Sequence, residues 1–276
     1  MTEKAAQKLG VIGYPVSHSL SPRIHTYWLK KHGINAIYEA ITVEPSALAN
    51  FLRTMPEKGF TGVNLTIPHK ESALTLVTET DAIAAHIGAV NTIVVESGKL
   101  LGRNTDAYGF MENLKSCKLR VAGCKALVIG AGGAARAACV GLLDAGCDII
   151  LANRTREKAD ALSYAFKSGI QVIDWSELEN ALHDISLLVN TTSLGMKGQP
   201  ELNISLAGLP KVAVVADIVY NPLATPLLAQ AKERGNITVD GLGMLLYQAQ
   251  MAFNLWFGLL PAVDDKLRKF VLEALA

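Results

Sequence analysis

At 276 residues the chain is long enough for one large domain or two smaller ones, each with a sizeable core. Half of its residues are hydrophobic and the formal net charge is +1, a balance that argues against nucleic acid or an anionic membrane surface as partner. Cys117, Cys124, Cys139 and Cys147 form no C-x-x-C pair, and Met1 to Gly10 carries no apolar signal-peptide core, so a reduced, cytoplasmic protein is expected.

In chain order, Leu9 to Tyr14 is predicted as a strand, followed by a loop crowded with Ser17, His18 and Ser19. A helix then starts with Ser21 as N-cap and Pro22 in its first turn. Ala36 to Val43 and Gly62 to Ile67 are predicted strands, with a helix over Pro45 to Met55 between them. Glu71 to Val77 and Asp81 to Ile87 read as helical. Asn91 to Val95 and Lys99 to Gly102 read as a hairpin about Ser97-Gly98. This order implies a small, mostly parallel sheet. After Asn104-Thr105-Asp106, a helix over Tyr108 to Leu114 leads into a second α/β unit.

That unit opens on a dinucleotide fingerprint. The apolar strand Ala126 to Ile129 runs into Gly130-Ala131-Gly132-Gly133-Ala134-Ala135, with Gly130, Gly132 and Ala135 at G-x-G-x-x-A spacing. Gly130 suits the tight turn, Gly132 lets the backbone approach a pyrophosphate, and a helix over Ala134 to Leu143 directs its N-terminal N–H groups at that anion. The next strand, Asp148 to Ala152, ends in Asn153-Arg154-Thr155, with Lys158 beyond. An NAD unit carries an acid at that tip; here an arginine stands instead, which favours the 2′-phosphate of NADP. Thr155 also reads as a helix N-cap, and the two roles are compatible.

Further on, helices Glu157 to Phe166 and Ser176 to Leu182 alternate with strands Ile170 to Asp174 and Ser186 to Asn190. Strands Val212 to Ile218 and Asn236 to Val239 complete the sheet, with Thr191 to Pro210 as a loop beside the cofactor. Gly241 to Val263 holds no charged residue but includes Gln248, Gln250, Asn254 and Pro261 after a Gly-Leu-Gly turn. It reads as a buried helix rather than a membrane span. A last helix covers Asp265 to Leu275.

Ligands of such sheets bind outside the carboxyl ends of the strands. That rule groups Ser19 and Ser21 after the first strand with Asn64, Thr66 and Lys70 at the third. Asn91 and Asp106 join them at the hairpin. Together they describe a pocket for a small polyhydroxylated acid. Hydride transfer at a carbinol carbon needs a group that moves the hydroxyl proton, and Lys70 and Asp106 are the candidates. Lys70 also fits a solvent-facing helix start, and Asp106 an N-cap before Ala107. Gln248 shares a helix face with Met244, Met251, Ala252 and Leu255, so its amide is satisfied either by another core group or by a ligand. Tyr220 either reaches a ligand or packs locally. His18, His25 and His69 lack the H-x-x-x-H and H-E-x-x-H spacings, and no metal site is expected.

Five stretches in order resemble the shikimate dehydrogenase family: Gly13-Tyr14-Pro15-Val16-Ser17-His18-Ser19-Leu20-Ser21-Pro22, Asn64-Leu65-Thr66-Ile67-Pro68-His69-Lys70, Gly88-Ala89-Val90-Asn91-Thr92, Asn104-Thr105-Asp106 and Asp240-Gly241-Leu242-Gly243-Met244. The resemblance implies an NADP-dependent reduction of 3-dehydroshikimate to shikimate, within aromatic amino-acid biosynthesis. It implies an α/β protein with an N-terminal substrate domain (1–106, completed by 245–276 as the C-terminal helices return) and a Rossmann-like NADP domain (107–244). Carried onto this sequence, Ser19, Ser21 and Tyr220 would hold the substrate carboxylate. Asn64, Thr66, Asn91, Asp106 and Gln248 would hold its ring hydroxyls, and Lys70 paired with Asp106 would be catalytic. Gly130, Ala131, Gly132, Gly133 and Ala134 match the pyrophosphate site, Asn153, Arg154, Thr155 and Lys158 the 2′-phosphate clamp. Thr191, Ile218 and Gly241 match the nicotinamide side. A monomer or homodimer is expected. Ala107 departs from the family, where many relatives have Gly; a positive φ there would strain an alanine. The rival readings are a member working on quinate or on an aminated shikimate analogue, and an NADP-binding regulator that has lost the chemistry.

Overall fold

The computed structural model describes residues 6–275, which divide into two compact units, Met1–Thr105 with Gln248–Ala276, and Asp106–Tyr247. The first unit starts with β1 (Gln7–Gly13), α1 (Ser21–Lys31), β2 (Ala36–Thr42), α2 (Leu48–Thr54) and β3 (Phe60–Leu65). Then come α3 (His69–Ser72), β4 (Glu79–Thr80), α4 (Ala82–Ile87) and the hairpin of β5 (Thr92–Glu96) and β6 (Lys99–Arg103). The strand order is β2-β1-β3-β5-β6-β4. β1 runs parallel to both its neighbours and β4 to β6, while β5 is antiparallel to both β3 and β6. The hairpin turns on Ser97 (φ 49°) and Gly98 (φ 77°), the two consecutive left-handed residues that match the twist of a two-residue hairpin loop. Apolar side chains of β1, β3 and β5 (Ile12, Val63, Leu65, Ile93) meet Leu48, Leu52 and Met55 in a dry core.

The second unit runs through α5 (Asp106–Ser116), β7 (Lys125–Ile129), α6 (Gly133–Asp144), β8 (Asp148–Ala152), α7 (Arg156–Phe166) and β9 (Ile170–Ile173). It continues with α8 (Leu178–Ala181), β10 (Leu187–Asn190), β11 (Val214–Asp217), α9 (Pro226–Glu233) and β12 (Ile237–Val239). All six strands are parallel, in the order β12-β11-β10-β7-β8-β9, which is the doubly wound arrangement expected. Parallel strands put their carboxyl ends on one edge, so the loops after β7, β8, β10 and β11 share a rim. Last come α10 (Gly241–Phe257) and α11 (Asp265–Leu272). Among the described residues no helix is long and apolar enough to cross a membrane.

Several boundaries differ from the sequence reading. Leu20, not Ser21, occupies the N-cap of α1, with no side-chain cap bond. Ser21 is buried as the first residue of the helix rather than standing at its cap. The helix expected over Pro45 to Met55 begins as a 3-10 turn, and the one over Ser176 to Leu182 is a short α-helix between two such turns. Gly241-Leu242-Gly243 lies inside α10 and makes no turn before it. Helix α9 went unpredicted, although Thr225 caps it by accepting from the Leu228 N–H and Pro226 occupies its first position.

Candidate active site

In the first unit the strand ends hold a continuous buried polar array. Tyr38 donates its hydroxyl proton to Asn64 Oδ1 at 2.6 Å. Asn64 Nδ2 then donates to the Asn91 carbonyl at 3.2 Å and to Thr92 Oγ1 at 3.0 Å. Thr92 passes its own proton to Asn91 Oδ1 at 2.9 Å. That oxygen also accepts the Thr105 N–H at 2.8 Å, while Asn91 Nδ2 reaches Thr105 Oγ1 at 2.9 Å. Asn64 and Asn91 are therefore brought into one buried network, and Ser21 is buried as well. Ser19 stands half-exposed beside it and accepts the Ser21 N–H at 3.3 Å.

Lys70 sits in α3, directly after β3, and is half-buried. One bond fixes its backbone and two more fix the residue before it. The Val90 N–H donates to the Lys70 carbonyl at 2.8 Å, and the His69 N–H to the Thr66 carbonyl at 2.9 Å. The buried His69 ring donates from Nε2 to the Val43 carbonyl at 2.7 Å, so this histidine is a structural anchor. Asn104, which donates to the Ala89 carbonyl at 2.8 Å, tethers the segment leading to Asp106. Asp106 is the first residue of α5 and is buried, not an N-cap ahead of Ala107. Ala107 is helical and not among the non-glycine residues with positive φ, so the strain considered for it does not arise.

Gln248 lies on α10 and is half-buried, while Gln250 on the same helix is buried and donates to the Pro261 carbonyl at 2.7 Å.

In the second unit the glycine turn sits where β7 meets α6. Gly130 has φ +116°, and a Cβ there would lie 2.5 Å from Thr191 Oγ1. Gly132 is the N-cap of α6, and a Cβ on either it or Gly133 would meet nothing within 4 Å. The space beside this turn is open, and Ala131 and Ala134 flank it in the chain. Gly130→Ala is expected to destabilise the fold by about 1–3 kcal/mol, whereas Gly132→Ala should melt normally and weaken NADP+ binding. Thermal melts beside a fluorescence titration of the cofactor would separate the two.

After β8, Asn153 donates to the Thr155 carbonyl at 2.7 Å, and Arg154, Thr155 and Lys158 are exposed. Arg156 is already matched to Asp174 at 2.7 Å and Asp160 at 3.4 Å. Arg154 and Lys158 have no ion-pair partner among the described residues, so the positive charge at this tip is uncompensated. Thr155 is the N-cap of α7 by backbone position, without a side-chain cap bond.

Along the same rim, Thr191 donates to the Ile129 carbonyl at 2.7 Å, and the Ile218 N–H to the Asn190 carbonyl at 3.0 Å. The Gly241 N–H donates to the Val219 carbonyl at 3.2 Å. Two residues that the sequence reading missed organise these loops. Asp217 is buried at the end of β11 and accepts from Asn190 Nδ2, the Val219 N–H and Thr225 Oγ1 at 3.0, 3.0 and 2.8 Å. Asn190 Oδ1 in turn accepts the Thr192 N–H at 3.0 Å. Burial raises the Asp217 pKa, and its three donors offset part of that rise. Both residues end parallel strands, which was the available signal. Tyr220, three residues beyond Asp217, is half-buried, and burial raises its phenol pKa. Among the described residues no group of three or more His, Cys, Asp or Glu could hold a metal ion.

Three family models match the chain. They are the shikimate dehydrogenase substrate binding domain over residues 11–93, shikimate / quinate 5-dehydrogenase over 112–197, and the shikimate 5'-dehydrogenase C-terminal domain over 241–265. The shikimate dehydrogenase (NADP(+)) of Paramagnetospirillum magneticum is 53% identical over 97% of this chain and 99% of its own. The chain belongs to the shikimate dehydrogenase family.

Among solved members, the Thermus thermophilus shikimate 5-dehydrogenase in complex with NADP(H) and shikimate superimposes with a TM-score of 0.89 at 37% identity, covering 97% of this chain and 99% of that one. The quinate dehydrogenase of Corynebacterium glutamicum in complex with NAD gives a TM-score of 0.90 at 29% identity, covering 98% and 99%. A shared backbone therefore serves family members with different substrates and cofactors.

Proposed function

We propose that this chain is an NADP-dependent shikimate dehydrogenase, an oxidoreductase that interconverts 3-dehydroshikimate and shikimate in aromatic amino-acid biosynthesis. Its main support is near-full-length identity of 53% to an NADP(+)-dependent member, together with an uncompensated Arg154 and Lys158 where an NAD unit would carry an acid.

Ser19 and Ser21, with Tyr220, hold the substrate carboxylate through hydroxyl donors. Asn64, Thr66, Asn91, Asp106 and Gln248 take the ring hydroxyls. Gly130 to Ala134 cradle the pyrophosphate with backbone N–H groups, Asn153, Arg154, Thr155 and Lys158 bind the 2′-phosphate, and Thr191, Ile218 and Gly241 line the nicotinamide side. NADPH, when bound, supplies the hydride. Lys70 gives a proton to the carbonyl oxygen as that oxygen becomes an alkoxide, and takes it back in the oxidation. Asp106 is the partner that directs the lysine's proton.

Following the reduced nicotinamide by its absorbance, with NADP+ and either shikimate or quinate, tests this assignment. A kcat/KM for quinate equal to or above that for shikimate would overturn the choice of substrate. Arg154→Ala is expected to raise the NADP+ KM by about 10–100-fold and to leave the NAD+ KM nearly unchanged, since only the former loses a charge-assisted bond. Equal effects on both cofactors would defeat the phosphate clamp. We place the enzyme in the cytoplasm as a monomer or homodimer. Its four cysteines are free thiols, as suits a reducing compartment, and light scattering after gel filtration reads the oligomeric state.

A further inference from the structure

Two cysteines stand one residue ahead of neighbouring parallel strands, Cys124 before β7 and Cys147 before β8. Lys125 pairs with Asp148 in the register of those strands, so the two cysteines continue the same ladder one step towards its amino end. The Asp148 N–H donates to the Cys124 carbonyl at 2.9 Å. That bond keeps the backbones at strand spacing, about 4.8 Å, which lies inside the range of Cα separations a disulfide spans.

The side chains meet as well. Cys124 Sγ donates to Cys147 Sγ at 3.0 Å, and Cys147 Sγ donates to the Val121 carbonyl at 2.9 Å. The same carbonyl accepts the Cys124 N–H at 3.1 Å, so the turn into β7 is fixed around both sulfurs. Cys124 is half-buried and Cys147 buried, which leaves one sulfur open to a small solute and the other shielded. Cys139 is buried within α6 and Cys117 is exposed. Among the described residues no other two sulfurs are bonded.

We propose that Cys124 and Cys147 form a modification site, a thiol pair that hydrogen peroxide converts to a disulfide and a dithiol reopens. The Cys124 sulfur takes one peroxide oxygen as the O–O bond breaks, giving a sulfenic acid and one water. The Cys147 sulfur then attacks that sulfur, the S–O bond breaks, and the hydroxyl leaves with the Cys147 proton as a second water. Each cysteine sulfur gives up one electron and the peroxide takes both. Burial pushes the Cys124 thiol up to about 12, so thiolate is scarce near neutral pH and the pair answers sustained exposure rather than a brief pulse.

The bridge closes a loop that holds β7, the glycine turn and α6. It sits at the amino ends of β7 and β8, about 16 Å of strand away from that turn. Oxidation thus steadies this unit against unfolding and leaves the glycine turn untouched.

Full-length protein held in excess hydrogen peroxide, then quenched and alkylated, tests this. The thiols titrated after unfolding are expected to fall from four to two, and a digest should contain the peptides of Cys124 and Cys147 joined. The Tm should rise by about 5–10 °C and return with dithiothreitol, while the NADP+ KM stays within twofold. Cys124→Ser should abolish both the bridge and the rise. In Cys147→Ala, dimedone should trap Cys124 as its sulfenic acid. Four thiols surviving prolonged exposure, a bridge to Cys117 instead, a bridged protein that melts no later than the reduced one, or an NADP+ KM shifted further would overturn the proposal. Should either variant fail to fold, the wild-type measurements decide alone. Thiol count, linkage and Tm need no turnover, so their failure is distinct from failure of the functional assignment.

Discussion

Lys70→Ala is expected to lower kcat for shikimate oxidation by about 10²–10⁴-fold, with a smaller change in the shikimate KM. The lysine is well placed for proton transfer because its backbone cannot wander: Val90 holds its carbonyl and the buried His69 holds the neighbouring turn. A thermal melt of the variant beside wild type separates lost chemistry from lost structure. Lys70→Arg is the sharper control. It retains the positive charge but replaces an ammonium that can exchange a proton with a guanidinium that holds its own throughout the working range. Arginine should therefore be nearly as poor as alanine. A kcat close to wild type in either variant removes Lys70 from acid–base work.

The second large effect is on stability and arises at His25. This histidine lies on α1 among Trp28, Tyr38, Phe253 and Trp256, and neither ring nitrogen has a hydrogen-bond partner. Full burial lowers its pKa from 6.5 to about 3. The unfolded chain therefore binds a proton below pH 6.5 that the native state refuses. The stability is complete above that value and is lost as pH falls from 6.5 towards 3. At about 1.36 kcal/mol per pKa unit the loss reaches roughly 5 kcal/mol, enough to unfold a marginal domain. His25→Phe keeps an aromatic ring in the cluster and removes the titrating group. Urea melts from neutral to acid pH should show a steep acid limb in the wild type and a flatter one in the variant, with no loss at neutral pH. Parallel limbs would show that acid acts elsewhere.

Much of the architecture was readable because punctuation and period agreed. The six parallel strands of the second unit are short apolar runs bounded by turn residues, and Gly130 requires the backbone that only glycine adopts freely. What escaped was of two kinds. Helix α9 carries a proper cap and a proline at its start, but Pro222 and Pro226 stand close together and read as loop. The interior polar residues Tyr38, Thr92, Asn190 and Asp217 escaped because one-dimensional patterning marks which face is buried without saying which buried groups bond each other.

The first unit is also discontinuous in the chain, and this has a consequence for synthesis on the ribosome. Phe253, fully buried, and Trp256, whose indole donates to the Ile93 carbonyl at 3.0 Å, arrive from the far end of the polypeptide. Trp28 likewise waits for the Ala262 carbonyl, which it meets at 3.1 Å. The sheet that emerges first is thus the last to be closed, after the whole parallel sheet has been translated. Until those aromatic side chains arrive, the sheet lacks part of the cover its apolar face has in the folded protein.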